Sequence, residues 1–218
     1  MKYPINFEIS FKKNTLPGKF IVFEGIDGSG KTTQAQILFE TLKKQGKEVV
    51  LTKSPTDEKI GKFIRQILSG EEKVSPIALQ YLFVADRADH VAQTEKWLSK
   101  GIAVISDRYF WSSVAYGIAD MKRPVDVLLS AYSILSSYYQ FVVPDITFYL
   151  DIPVDVGVKR VANKKMLEIY ENKKMLETVK DTYDLLLARF PEEFTILDGT
   201  KKMDEVEKDV IEKVKNLL

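Results

Sequence analysis

The stretch Gly25-Ile26-Asp27-Gly28-Ser29-Gly30-Lys31-Thr32 fits the pattern G-x-x-x-x-G-K-[ST] and follows directly on the apolar run Phe20-Ile21-Val22-Phe23. Such a segment demands a strand before it and a helix after it. Its glycines let peptide N–H groups converge on a polyphosphate, and the following helix adds the positive end of its dipole. Lys31 supplies a mobile charge for the β- and γ-phosphates, and Thr32 offers a hydroxyl to Mg²⁺. A glycine-rich turn serving only tight strand–helix packing is the alternative, and the flanking pattern weighs against it.

From Lys19 onward, short β-branched or aromatic runs alternate with segments of helical period, the pattern of a parallel sheet wrapped by crossover helices. The expected strands are KFIVFE, EVVLT, IAVISD, ITFYLD and FTILD, almost wholly apolar as befits strands covered on both faces. Ala35, Leu38, Phe39 and Leu42 line one helix that stops at Gly46, and Ile60, Phe63, Ile64, Ile67 and Leu68 line a second stopped by Gly70. A third opens at Ser75-Pro76 and runs through Asp86 or beyond, and a last one shows Val206, Val210, Val214 and Leu217 on one stripe. The expected fold is three-layer α/β/α around a five-stranded parallel sheet. Residues 1–18 form an N-terminal extension, either an edge strand or an arm, and residues 19–218 a single domain.

Thirty-two basic against thirty-one acidic side chains leave a net charge of +1, so no whole-protein field recruits nucleic acid or an anionic membrane. Any anion site is local. The absence of cysteine removes disulfides, thiolate metal sites and thiol nucleophiles, and suits a reducing cytoplasm. No apolar stretch approaches about 20 residues, and MKYPINFEIS lacks a signal-peptide hydrophobic region, so the expectation is a cytoplasmic protein.

The strand IAVIS ends in Asp107-Arg108-Tyr109, at the sheet edge where open α/β folds bind ligands. Asp107 can hold Mg²⁺ or its water, and Arg108 can grip a phosphoryl group, unless the two form only a structural ion pair. Phe83 and Arg87, four apart on the third helix, share a face and can offer one ring to a base and one fork to its edge; by spacing alone, Phe83 also fits the core. No NKxD-like guanine reader is present.

FEGIDGSGKTTQ, LFVADRADHVAQ, SDRYFWSSVAY, FYLDIPVDVGVKR, EIYEN and ILDGTKKMDEV together resemble the thymidylate kinase family, over roughly residues 19–215. The resemblance implies a P-loop nucleoside monophosphate kinase fold with a lid near 160–173, and transfer of the γ-phosphoryl of ATP to dTMP with Mg²⁺, a step of dTTP biosynthesis. It implies a homodimer as well. Catalytic roles fall to Lys31, Asp107 and Arg108, with Thr32 and Asp107 serving the metal. ATP would be held by Gly25, Ile26, Asp27, Gly28, Ser29, Gly30, Lys31, Thr32, Thr33 and Arg160, with Gly199, Thr200 and Lys201 bordering the adenine. On the acceptor side, Asp27 would bond the 3′-hydroxyl, Phe83 would stack on thymine and Arg87 would bond its carbonyl edge. Arg108 would hold the dTMP phosphate, Tyr116 would wall the sugar pocket, and Tyr170 would crowd out a 2′-hydroxyl.

The chain departs from the family pattern in three places. Where T-R-E-P is common it has Thr52-Lys53-Ser54-Pro55, so Lys53 keeps the charge offered to the acceptor phosphate but loses the bidentate fork. The family places a catalytic arginine in the phosphate loop or in the lid. Here the loop position is Gly28, and the lid reads VANKKMLEIYE, with no arginine beyond Arg160. An arginine at such a transition state contributes about 10³–10⁵ in rate, so Lys164 or Lys165 is expected to take its place. Third, Gly117 follows Ala115-Tyr116 where a base-contacting glutamine or threonine is frequent. A related kinase acting on dUMP, UMP or a nucleoside, or an ATP-binding regulator of weak turnover, remains the alternative.

Other features read as structural. His90, the lone histidine, is expected on a polar helix surface. Leu128, Leu129, Tyr132, Leu135, Tyr138 and Tyr139 read as a broad apolar helix, either core or subunit interface. NKKMLE at 163–168 and again at 172–177 repeats out of helical phase and marks a charged segment. Lys201 to Lys215 reads as a solvated helix face.

Overall fold

The structure is a computed structural model, and it describes residues 13–119, 142–162, 170 and 172–218. The five expected strands are β1 (Phe20–Glu24), β2 (Val49–Lys53), β3 (Ala103–Asp107), β4 (Ile146–Asp151) and β5 (Thr195–Asp198). They form one parallel sheet in the order β2-β3-β1-β4-β5. Every residue of the central strand β1 is buried, Glu24 included.

Alternation along the strands sorts side chains to two apolar layers. Ile21, Phe23, Ile105 and Phe148 meet α1 (Lys31–Lys44) and α7 (Met203–Lys215), which contribute Leu38, Val206 and Val210. Phe20, Val22 and Val104 face the other way, toward α2 (Lys59–Leu68), α3 (Pro76–Ser99), α4 (Phe110–Ala119) and α6 (Lys173–Arg189). A short helix, α5 (Val154–Val161), follows β4. The expected three layers are therefore present, and both strand faces are largely apolar, with Glu24, Ser106 and Thr147 as buried polar exceptions.

Local signals explain the helix starts. The Ser75 hydroxyl accepts from the Ala78 N–H and Pro76 occupies the first turn, so α3 opens where expected and continues to Ser99. Asn172 caps α6 by accepting from the Met175 N–H. The second NKKMLE copy thus opens a helix, with Leu176 fully buried; the first copy lies outside the described residues, as do Leu128 to Tyr139. Phe63 departs from its periodic expectation and is 37% exposed. His90 departs too: it is half-buried, 2.8 Å from the Thr52 hydroxyl through Nε2, with its ring against Trp97. Burial pushes its pKa down. Its helix crosses the end of β2 instead of facing solvent at that position.

Residues 13–18 are tied down. Lys13 bridges Val143, and the Asn14 amide donates to Gly18 O and to Asp145 Oδ2, joining this segment to the approach of β4. Residues 1–12 lie outside the described residues.

The topology positions the site. The chain leaves β1 to one side for β2, returns through β3 and then crosses to β4 on the other side of β1. The register pairs Phe23 with Asp107, so the loop after β1 and the Asp107-Arg108 pair emerge side by side at the carboxyl edge, at the switch point of the sheet.

Candidate active site

The loop between β1 and α1 brings backbone against backbone. Gly28 has φ +81, and a Cβ there would lie 2.5 Å from the Gly157 carbonyl oxygen in α5. Only glycine fits that turn and that contact. The first turn of α1 carries no acidic residue and no side-chain cap, leaving its N–H groups open toward the loop. Thr32 and Thr33 are exposed on that turn, and Ser29 is buried beneath the loop.

Four charged or hydroxylic side chains converge at the loop. Lys31, nearly buried, lies 3.4 Å from Asp27 Oδ1, and Arg108 Nη2 donates to the same oxygen at 2.6 Å. The Tyr116 hydroxyl donates to Asp27 Oδ2 at 2.8 Å and accepts from Arg108 Nη2 at 3.0 Å. Burial pushes the Asp27 carboxyl up, but the charges of Arg108 and Lys31 and the bonds from Tyr116 and Arg108 more than offset it, so it sits well below the usual carboxylate range. Burial, then the Arg108 charge, pushes the Lys31 ammonium down against the pull of Asp27 and Asp107. Burial raises the Tyr116 phenol well above its ordinary value.

Asp107 and Thr32 form the remaining corner. The Thr32 hydroxyl donates to Asp107 Oδ2 at 2.5 Å, and Asp107 Oδ1 is buried with no hydrogen-bond partner among the described residues. A hydroxyl beside a carboxylate with an unsatisfied oxygen is a donor set of the oxygen-only kind that suits Mg²⁺.

A cleft opens beside this cluster, lined by Asp27, Phe83, Arg87, Arg108, Tyr116 and Tyr170 among others. These six, drawn from four separate segments of the chain, meet in one pocket. Arg87 donates through Nη2 to the Ser54 hydroxyl, while its Nε and Nη1 are buried without hydrogen-bond partners among the described residues. The Ser113 hydroxyl, also in the lining, is buried and unpaired in the same sense. Tyr170 packs edge-on to Tyr116 with ring centroids 5.3 Å apart. Asp86 anchors the near wall by accepting from the Thr56 N–H and hydroxyl.

Arg160 donates to Gly28 O and Gly199 O, each at 3.2 Å, clasping the loop after β1 to the segment after β5. Thr200 bonds Asp198 and Lys201 pairs with Asp209. Lys53 stands apart: half-exposed and 3.1 Å from Asp57, it is not among the residues lining the cleft. Lys164 and Lys165 lie outside the described residues.

Sequence reasoning missed a set of polar groups under the site. Arg108 itself adopts φ +72, a conformation costing about 1–3 kcal/mol for a residue with a side chain. It is braced by Ser112, whose hydroxyl accepts from Arg108 Nη1 at 2.9 Å, and Ser112 in turn contacts Glu24 and Tyr183. The signal available was a lone carboxylate closing an otherwise apolar central strand, and the four-residue spacing of Arg108, Ser112 and Tyr116.

A sequence model of the family described as Thymidylate kinase matches residues 23–210. The probable thymidylate kinase of Thermococcus kodakarensis is 39% identical over 212 residues, covering 91% of this chain and 98% of that relative. That of Pyrococcus horikoshii is 38% identical over 210 residues, covering 92% and 98%. Among solved structures, thymidylate kinase from Candida albicans superposes with a TM-score of 0.78 at 27% identity, over 93% of each chain.

Proposed function

The chain belongs to the thymidylate kinase family, and on that premise we propose how its residues divide the work of moving the γ-phosphoryl group of ATP onto dTMP, giving dTDP and ADP. One observation carries the division: Lys31 and Arg108 share a single oxygen of Asp27. The loop lysine and the cation of the neighbouring strand end thus meet on one anionic oxygen, close enough together to serve two phosphates that meet end to end.

Phosphoryl transfer asks the protein for positioning and charge compensation more than for covalent chemistry. The loop amides and Lys31 hold the β- and γ-phosphates of ATP. Arg108 exchanges Asp27 for the dTMP phosphate, and the released carboxylate takes the 3′-hydroxyl. Phe83 stacks on thymine, the open Nη1 and Nε of Arg87 face its carbonyl edge, and Tyr116 with Tyr170 closes on the deoxyribose. Lys53 contributes charge from the rim of the acceptor side. Arg160, Gly199, Thr200 and Lys201 border the adenine. Lys164 and Lys165 bring the lid charge, and lid closure excludes the water that would otherwise hydrolyse ATP. Thr32 and Asp107 would hold Mg²⁺, which would supply charge neutralisation to the polyphosphate. Asp107→Asn is therefore expected to raise the Mg²⁺ concentration for half-maximal rate about 10-fold or more, read from a magnesium titration.

The test of the acceptor is diphosphate formation from ATP across dTMP, dUMP, UMP, dCMP, dGMP and AMP. The panel matters because the Candida albicans relative has broad substrate specificity. Turnover concentrated on dTMP supports the reading; tight ATP binding with no turnover on any acceptor overturns it. Phe83→Ala should raise the KM for dTMP by about 5- to 150-fold, the equivalent of one lost stacking contact, and leave the KM for ATP within about two-fold. Equal shifts in both would remove Phe83 from the acceptor pocket.

Among the described residues no helix is long and apolar enough to cross a membrane. A cytoplasmic homodimer is the arrangement that the family supports, and sedimentation in solution tests the subunit count.

A further inference from the structure

We propose that Glu24 is a positioning residue for Arg108, acting through the Ser112 hydroxyl and the start of α4, so that preference for a phosphorylated acceptor depends on a carboxylate that never touches substrate. Glu24 is fully buried, and no cation among the described residues lies within ion-pair distance of it. Removing a carboxylate from water is costly, and packing alone would favour an apolar residue here. Its charge is instead met by four donors. Oε1 accepts from the N–H groups of Tyr109 and Ser112, and Oε2 from the hydroxyls of Ser112 and Tyr183.

The polarity of this network decides what Arg108 can do. A guanidinium only donates, and a serine hydroxyl has one proton. Because Ser112 gives that proton to Glu24 at 2.5 Å, it presents lone pairs to Arg108 Nη1. Glu24 thus turns Ser112 in the one sense the guanidinium can use. The backbone is held by the same group. The N–H of Arg108 donates to Phe23 O, the Ser106 hydroxyl donates to Arg108 O, and the next N–H, of Tyr109, ends on Glu24. Both peptide groups of the residue at φ +72 are therefore pinned, one of them by Glu24.

A glutamine of the same shape breaks this logic in either orientation. With its NH₂ toward Ser112 and Tyr183 it opposes two hydroxyls that now donate; with its NH₂ toward the helix start it opposes two N–H groups. The first orientation costs the guanidinium its fixed acceptor and the second releases the Tyr109 end of its backbone, so either one frees Arg108 while the pocket keeps its shape.

The proposal rests on the reading that Arg108 holds the acceptor phosphate, and the test separates the two. The quantity measured is the ratio of dTMP affinity to thymidine affinity, thymidine being scored as a competitive inhibitor with no phosphate to hold. Glu24→Gln and Ser112→Ala are each expected to weaken dTMP about 10-fold or more, with thymidine and the KM for ATP within about two-fold. Equal weakening of dTMP and thymidine, which a merely structural role predicts, overturns the proposal, and so does an unchanged dTMP affinity. Arg108→Ala is the control: if it does not itself lower the ratio, the acceptor-phosphate reading fails and Glu24 has nothing to position. Should Glu24→Gln fail to fold, Tyr183→Phe removes one donor of the carboxylate and a partner of the Ser112 hydroxyl, but no hydrogen bond of Arg108. A ratio lowered about three-fold or more supports the proposal, and an unchanged ratio overturns it.

Discussion

Arg108→Ala is expected to lower kcat/KM for dTMP by about 10³, with the KM for ATP within about two-fold, in a steady-state assay at saturating ATP. The size follows from the side chain's position. Its guanidinium reaches Gly25 O, Ser112, Asp27 and Tyr116 at once, which fixes it before any substrate arrives. On the proposed division the fork gives up Asp27 for the acceptor phosphate and keeps Gly25 O, Ser112 and Tyr116, so little reorganisation is left for the transfer step, whereas a lysine at the same place cannot span those acceptors in one plane. Arg108→Lys should therefore recover less than about a tenth of the lost rate. Arg108→Gly provides an internal check on the backbone. It should be as inactive as the alanine variant yet unfold at higher temperature, because glycine accepts φ +72 without strain.

The same substitution has a signature in acid. The Asp27 carboxyl is depressed in the folded protein, so it contributes stability that is fully present above the unfolded carboxylate pKa and is lost as pH falls through the lower folded value. Without Arg108, burial remains and the largest offsetting charge is gone. The folded pKa of Asp27 then rises, and the midpoint of acid unfolding followed by circular dichroism moves to higher pH.

Much of this arrangement was legible because it rests on short-range rules. The strands read clearly since helices cover both faces and leave only apolar residues. The phosphate loop is a contiguous motif, and Phe83 with Arg87 follows from one turn of a helix. The acceptor cleft's deeper polar layer is different in kind. Glu24 meets Ser112 across 88 positions and Tyr183 across 159, and no period or spacing connects them. Local rules also fail where packing decides: Phe63 keeps the apolar period of α2 yet faces outward, and His90, among acidic neighbours, is turned inward against Thr52. Nor does anything in the residue type announce that Arg108 holds a left-handed backbone.

If the lid supplies the charge that completes the transition state, as proposed, the double substitution Lys164→Ala with Lys165→Ala is expected to lower kcat by about 10³ while leaving the KM for dTMP within a few-fold. Among the described residues, the cations around the loop have other partners or roles. On the proposed division Lys31 and Arg108 serve the two phosphates, while Arg160 donates to the carbonyls of Gly28 and Gly199 and Lys53 is paired with Asp57. The phosphate loop cannot supply an arginine of its own. At Gly28 the backbone is at φ +81, and any Cβ would stand 2.5 Å from Gly157 O and 2.9 Å from Gly157 Cα, both of them main-chain atoms with no side chain to yield. Gly28→Arg in the double-alanine background should consequently fail to restore kcat and should also lower the thermal midpoint, by strain of at least about 1–2 kcal/mol before the contact with α5 is counted. A double-alanine enzyme within a few-fold of the parent would place the missing charge elsewhere, and a Gly28→Arg variant that rescues turnover at unchanged stability would mean that the loop and α5 can separate. The two outcomes bear on different links, the chemistry of the lid and the packing of the loop, so one pair of variants tests both.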